Sequence, residues 1–440
     1  MRETSTENMT TAIATKLESI TDIELIKLDN ANLDATNHNW HQLSQAVDND
    51  TPIYLVFPQT REALSDVVKQ AAENHWRILI CGNATKIAWG KITNNIQLVV
   101  SMQKCDRLIE HAVGDLTVTA EAGMKLVDLQ AQLRSHNQFL PIDTNYDDAT
   151  LGGIVATADT GSWRQRYGGV RDLLLGLSFV RADGEVAKAG GRVVKNVAGY
   201  DLMKLFTGSY GTLSIMTQLT FRTYPLITNS QTLIIYGAAA AIGQATQSIR
   251  NSGLTPTAMD LLSSTVMSKL NLGQSLGLML RWQTIPESII QQLAQVKAIV
   301  QQLDLSSSIY QDEAETKLWQ DCTNMIHTLH SSTAITCKIG IAPAAAANLL
   351  AQMEKDSILA RIHASTGIGQ LQLDKDQQTV QALRAHCQQN QGFLTILNAP
   401  PKVKAEIDVW GYAGNGIKTM QSLKNQFDPQ NILNPGRFIV

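Results

Sequence analysis

The chain has 440 residues, 44% hydrophobic and 17% charged, which suits two large or three average domains around sizeable cores. Its 36 Lys and Arg against 39 Asp and Glu leave a formal charge of −3, which argues against a nucleic-acid binder held by a basic field. No apolar run reaches the roughly 18 residues of a membrane span, and the start MRETSTENMTTAIATKLESI lacks the apolar stretch of a secretory signal.

The five cysteines, Cys81, Cys105, Cys322, Cys337 and Cys387, are odd in number and widely spaced. That pattern suits a reducing compartment and, with no C-x-x-C run, supplies no recognisable iron–sulfur or structural zinc site. The first 50 residues, acidic and rich in Asn, Thr and Asp, read as an N-terminal extension, either partly ordered or a small helical element packed on the main domain.

An α/β pattern begins near Thr51. Ile53 to Phe57 reads as a strand stopped by Pro58. Thr60 is placed to N-cap a helix whose Leu64, Val67, Val68, Ala71 and Ala72 follow the helical period. A buried strand, Arg77 to Cys81, runs into the loop Gly82-Asn83-Ala84-Thr85-Lys86. The alternation of Leu116, Val118 and Ala120 predicts a strand, followed by a helix from about Lys125 to Ser135. Asp183-Gly184, between Leu177–Arg181 and Val186–Lys188, predicts a hairpin with a type I′ turn. Thr212–Thr223 predicts another strand, ended by Pro225. Beyond it, strand-like runs at 232–236, 276–282, 334–341 and 369–373 alternate with helical stretches near 238–251, 285–303, 312–330, 343–355 and 376–389. This is the rhythm of an α+β domain with an antiparallel sheet backed by helices.

Chemistry concentrates in the glycine-dense middle. The loop Gly82–Lys86 can form a nest of backbone N–H groups for an anion, although a strand-to-loop turn needs small residues anyway. Thr150-Leu151-Gly152-Gly153 opens a short apolar helix. It reads either as a helix N-terminus facing a flat ring or diphosphate, or as close helix–strand packing. Further glycine motifs follow at Arg166–Asp172, Gly190–Leu202 and Phe206–Ile215.

In this order and spacing, residues 52–225 resemble the FAD-binding domain of the vanillyl-alcohol oxidase and p-cresol methylhydroxylase (PCMH) superfamily. KNVAGYDLMKLFTGSYGTLSIMTQLTF and the ending FDPQNILNPGRF resemble its glycolate oxidase branch, most of all the FAD-binding E subunit. The implied fold is α+β. A PCMH-type two-subdomain FAD-binding domain at 51–225 is followed by an antiparallel-sheet and helix cap at 226–400, and a tail at 401–440 returns to the FAD domain. The resemblance assigns Gly82, Asn83, Ala84, Thr85 and Lys86 to the pyrophosphate loop. It places Thr150, Leu151, Gly152 and Gly153 along the diphosphate and isoalloxazine, Gly161, Tyr167 and Gly168 in the turn that follows, and Gly211 to Ile215 at the adenine or ring edge. The loop departs from the family pattern, with Cys81 in place of an Arg and Asn83 and Ala84 in place of glycines. Thr85 stands where covalent relatives carry a His, so the expected FAD is non-covalent and Cys81 a plain buried thiol.

The larger catalytic relatives carry His-x-x-Gly-Asp-Gly-Asn-x-His for a metal and a 2-hydroxyacid. Here His363-Ala364-Ser365-Thr366-Gly367-Ile368-Gly369 resembles a degenerate counterpart. A lone His cannot hold such a metal, so no metal site is expected; His363 is the one weak catalytic candidate. His327 and His330 have i,i+3 spacing but read as a solvated helix face.

The resemblance therefore implies an FAD-binding subunit of a glycolate dehydrogenase complex that forms glyoxylate. Its partners would be a catalytic flavin subunit and an iron–sulfur subunit, in the cytoplasm or held peripherally at the inner membrane face through them, with a small 2-hydroxyacid as substrate and no nucleic acid. A self-sufficient 2-hydroxyacid dehydrogenase of D-lactate type and a flavin-free structural subunit are the competing readings.

Overall fold

A computed structural model describes residues 12–28, 40–49, 53–192, 199–328, 331–374 and 377–439. The stretch Lys195-Asn196-Val197-Ala198 of the glycine-rich motif, and His330, lie outside the described residues. The chain divides into two compact units, 1–160 with 169–225 and 413–440, and 161–168 with 226–412. Among the described residues no helix is long and apolar enough to cross a membrane.

The first unit holds two main sheets. One has four strands in the order Ile23–Leu28, Ile53–Pro58, Leu98–Ser101 and Ile78–Cys81. Ile23–Leu28 pairs antiparallel with Ile53–Pro58, and the other pairings are parallel. The central strand Leu98–Ser101 is buried along its whole length, so it reads as an apolar run rather than an alternation. The helix Arg61–Asn74 covers this sheet as its period requires, burying Leu64, Val67, Val68 and Ala71. Thr60 caps it, its hydroxyl accepting from the Ala63 N–H at 3.1 Å.

Residues 12–28 pack on the domain, as the second of the two alternatives expects, and add a strand that the sequence reading lacks. Ile13 and Leu17 are buried in the core of this sheet, and Ile23–Leu28 is one of its strands. The sequence hid this because the acidic and polar residues around them dilute the apolar pattern.

The second sheet is antiparallel, in the order Val186–Gly190, Leu174–Val180, Ile215–Arg222, Thr117–Glu121 and Leu108–Ala112. Its first hairpin does not close through a type I′ turn. Gly184 alone takes a positive φ, of 82°. The Gly184 N–H reaches the Arg181 carbonyl at 3.0 Å, and the Arg181 N–H the Glu185 carbonyl at 2.9 Å. This is a three-residue loop, a type I turn followed by a left-handed glycine.

The second unit is built on one eight-stranded antiparallel sheet. Its order is Ser306–Gln311, Ser230–Gly237, Leu276–Gln283, Ala258–Leu262, Leu359–His363, Ile368–Leu373, Ile335–Gly340 and Phe393–Asn398. Four of these strands, at 258–262, 306–311, 359–363 and 393–398, are missing from the sequence reading. They are short, and helical stretches flank them. Residues 401–412 belong to this unit rather than to the returning tail, the Ile396 N–H donating to the Val409 carbonyl at 2.8 Å.

The tail proper, 413–440, is part of the first unit. Asp428 organises it: its carboxylate takes the N–H groups of Ile432 at 3.0 Å and Leu433 at 2.8 Å. The buried Lys424 ammonium donates to Asp428 at 2.5 Å and to the carbonyls of Thr212 and Leu433 at 2.9 Å each. Burial pulls the Lys424 pKa down, against the opposing pull of Asp428.

Candidate cofactor site

A pocket in the first unit gathers residues from four stretches of chain, 80–87, 150–157, 210–216 and 434–437, with Met102 and Ala122 between them. It holds about 770 Å³ of empty space, part of it open to solvent. Of the residues assigned from sequence, Gly82, Ala84, Thr85, Lys86, Thr150, Gly152, Gly153, Gly211 and Ile215 line it.

Asn83 and Leu151 do not. Asn83 is buried, its amide directed to the Asp148 carbonyl at 3.4 Å, and Leu151 sits in the hydrophobic core. Gly161, Tyr167 and Gly168 belong to the other unit. The connected motif reads as one stretch, but the helix Arg164–Tyr167 packs on the strand Ala258–Leu262.

The loop after Cys81 supplies donors. Ala84 takes a left-handed φ of 57°, and the turn closes through the Ile87 N–H to the Ala84 carbonyl at 3.0 Å. The backbone N–H groups of Ala84, Thr85 and Lys86 have no hydrogen-bond partner among the described residues, although Ala84 and Lys86 are buried. Such groups are rarely left unmet, which marks the loop as the receiver of an external acceptor.

The helix Leu151–Thr157 behaves differently. Its first N–H groups are spent inside the protein: Leu151 on the Met124 carbonyl at 2.9 Å, Gly152 on Ala122 at 2.8 Å, and Gly153 on the Thr150 hydroxyl at 3.3 Å. The expected helix N-terminus aimed at a diphosphate is therefore absent, and the helix contributes a bare surface instead. Gly152 packs against the turn that follows the strand Thr117–Glu121, where an added Cβ would meet Ala122 at 3.0 Å. At Gly153 a Cβ would meet only the Thr150 hydroxyl, at 3.2 Å, and would otherwise project into open space. Gly211, at φ 69°, lets the chain pass Asn434, whose amide nitrogen would lie 2.6 Å from a Cβ.

Two cations and a thiol line the walls. The Lys86 ammonium is buried, 2.8 Å from Asp159, whose same oxygen also accepts from Thr144 at 2.7 Å. It also lies 5.3 Å from the Tyr146 ring and 5.8 Å from that of Trp89. Arg437 is the second cation. Cys81 is not sealed in the core as expected but forms part of the pocket wall. Its thiol is pushed up to about 12 by burial, against a hydrogen bond with Ser101 and the Arg437 charge, so it is not a nucleophile near neutrality.

The resemblance returns the tail to this domain but assigns none of its residues to the pocket, where Asn434 and Arg437 stand. Asn434 accepts from the Ile80 N–H at 2.7 Å and donates to the Tyr210 carbonyl at 2.5 Å, tying two pocket walls together. The motif NPGR is visible in the sequence, but nothing local reveals which of its side chains reach a loop some 350 positions earlier.

His363 lies in the second unit, buried at the end of its strand. Its Nδ1 is 2.7 Å from Asp260, which also accepts a hydrogen bond from the Ser162 hydroxyl. Burial raises the Asp260 pKa, but the His363 charge and hydrogen bond, with Arg361 and Ser162, outweigh it and the net direction is down. His327 departs from its reading as a solvated residue, because both its ring nitrogens are shielded from solvent.

The pocket's geometry agrees with comparisons to known proteins. An FAD binding domain matches residues 52–190, and the C-terminal domain of FAD linked oxidases matches residues 410–438. Glycolate oxidase subunit GlcD of Bacillus subtilis is 26% identical over 416 residues, 88% of each chain. The mitochondrial D-lactate dehydrogenase [cytochrome] of Arabidopsis thaliana is 25% identical, covering 96% of this chain and 80% of its own. Glycolate oxidase subunit GlcE of Escherichia coli is 35% identical over 167 residues, 37% of this chain and 47% of its own. Among solved structures, p-cresol methylhydroxylase with substrate bound superposes with a TM-score of 0.73 at 13% identity, over 97% of this chain and 96% of its own. The residues present fit FAD: unspent donors suit a diphosphate, and a glycine-lined wall admits a flat ring. The chain thus carries an FAD binding domain and a stretch matching the C-terminal domain of FAD linked oxidases, on the fold shared with p-cresol methylhydroxylase.

Proposed function

We propose that the chain is the FAD-binding subunit of a complex that oxidises glycolate to glyoxylate, working with a catalytic flavin subunit and an iron–sulfur subunit in the cytoplasm. Bound FAD would supply a redox carrier for the complex. The pocket residues of this chain hold it without a covalent bond, since Thr85 offers no nucleophilic ring nitrogen and the Cys81 thiol stays protonated. Local similarity to a glycolate oxidase E subunit supports the assignment. The observation that carries it is the state of His363. In the segment that resembles a metal and 2-hydroxyacid motif, it is the only ligand-type side chain kept, and its Nδ1 is committed to Asp260. A carboxylate clamp and a base beside the substrate hydroxyl are both needed for efficient oxidation.

The test is anaerobic mixing of the flavin-loaded chain with excess glycolate, following the oxidised-flavin absorbance. The expected outcome is no rapid bleaching without partners. Rapid, complete bleaching by the chain alone promotes the second reading, a self-sufficient 2-hydroxyacid dehydrogenase, which the 96% coverage by a D-lactate dehydrogenase favours. The same preparation tests attachment: acid precipitation should release the flavin into the supernatant, and flavin retained in the pellet overturns the non-covalent assignment.

A further inference from the structure

We propose that Arg437, in the C-terminal tail, is the counter-ion of the FAD diphosphate. The inference rests on the cofactor reading above and names the residue that supplies the pocket's net charge.

Arg437 is 4% exposed and lines the pocket. Its guanidinium donates to the carbonyls of Lys91 at 3.2 Å and Ala46 at 3.5 Å, and to that of Ile87. No aspartate or glutamate lies against it among the described residues. The other buried cations of this unit are matched, Lys86 by Asp159 and Lys424 by Asp428. A buried charge met only by carbonyl dipoles is costly unless a further partner is present. Burial draws its pKa down to about 10, as it must for a cation lacking a carboxylate, yet leaves it protonated at neutral pH.

Its position selects the diphosphate. Ile87, whose carbonyl it holds, closes the turn that begins at Ala84, so the guanidinium flanks the loop with the unspent N–H groups. Its other charge-sensitive neighbours, Tyr210 and Cys81, are both neutral near pH 7, with the phenol also pushed up by burial. Of the five guanidinium N–H donors, three are used, which leaves two for an anion. The ring of Phe438 stacks on Tyr210 at 5.3 Å, fixing the tail beside the pocket.

The experiment compares FAD with riboflavin, which lacks the phosphates. Dissociation constants are measured by flavin fluorescence for wild type, R437Q and R437K, with circular dichroism as the check on folding. R437Q should weaken FAD about 10- to 100-fold, the scale of a charge-assisted hydrogen bond, and leave riboflavin within about twofold. R437K, which keeps the charge but loses the fork, should fall between. Unchanged FAD affinity in R437Q, or equal loss for both ligands, overturns the proposal. If R437Q does not fold, R437K decides by the same selectivity: FAD-specific weakening supports the proposal, and anything else overturns it. Wild type that binds neither flavin overturns the cofactor reading itself, whereas wild-type FAD binding with an indifferent R437Q overturns Arg437 alone.

Discussion

The two units treat buried charge in opposite ways. In the second unit, the Glu315 carboxylate accepts from Ser230 and Thr232 at 2.7 Å each and from Arg281 at 3.0 Å. Asp260 is likewise met by Ser162 and His363. In the first unit, the pocket keeps three loop N–H groups unspent and a guanidinium with no carboxylate among the described residues. Charge that closes on itself is architecture, while charge and donors left open beside a cavity anticipate a ligand. The tail of the first unit shows that the rule follows local purpose rather than the unit, because Lys424 and Asp428 are closed and structural.

The largest effect is expected where that closed pair is cut. Lys424→Met leaves Asp428 buried without its cation, and stability should fall by about 3–5 kcal/mol. Denaturant unfolding should show an early transition; a loss below about 1 kcal/mol would mean that Asp428 is solvated and the pair is not structural.

Gly153→Val probes the open side. An added Cβ meets only one hydroxyl within 4 Å, so circular dichroism should stay native while FAD affinity drops more than about 100-fold. A variant with full FAD affinity would make Gly153 a packing glycine like Gly152.

Asp260→Asn tests the closed network of the second unit, at about 1–3 kcal/mol. The Asp260 pKa is depressed in the folded state. Its stabilisation is therefore present above the ordinary value near ~3.9 and is lost as pH falls through the lower folded value. The variant should lack that acid dependence, and FAD affinity at pH 7 should not change. Parallel pH–stability curves for the two proteins would remove the assigned role of the carboxylate.

The smallest effect belongs to Cys81→Ser. A protonated thiol with weak contacts, 3.7 Å to the Val100 carbonyl and a hydrogen bond with Ser101, contributes little, so FAD affinity should shift less than about threefold. Slow labelling of Cys81 by iodoacetamide at pH 8 would agree with its raised pKa; fast labelling would place a thiolate in the pocket wall.

Much of this was legible in the residues themselves. The loop at Gly82–Lys86, the helix capped by Thr60 and the glycines at 152 and 153 announce themselves through small residues, a capping hydroxyl and apolar period. Short buried strands such as Leu359–His363 do not, because five apolar or mixed residues carry too little period to separate strand from helix. Nor could spacing tell Gly152 from Gly153: one meets Ala122 and the other open space, a difference made by which neighbour the helix faces.

By itself the sequence determined the local chemistry: a flavin-type glycine order, a chain poor in cysteine clusters and a substrate motif reduced to one histidine. Local chemistry follows from short-range constraints, since a turn needs its small residues and a cap its hydroxyl whatever lies beyond. Only the tertiary structure decided which groups are spent. The N–H groups of Leu151 and Gly152 are consumed by Met124 and Ala122, whereas those of Ala84, Thr85 and Lys86 are not, and Arg437 reaches the loop from the far end of the chain. Hydrogen-bond satisfaction and desolvation depend on partners distant in sequence, which no local pattern encodes.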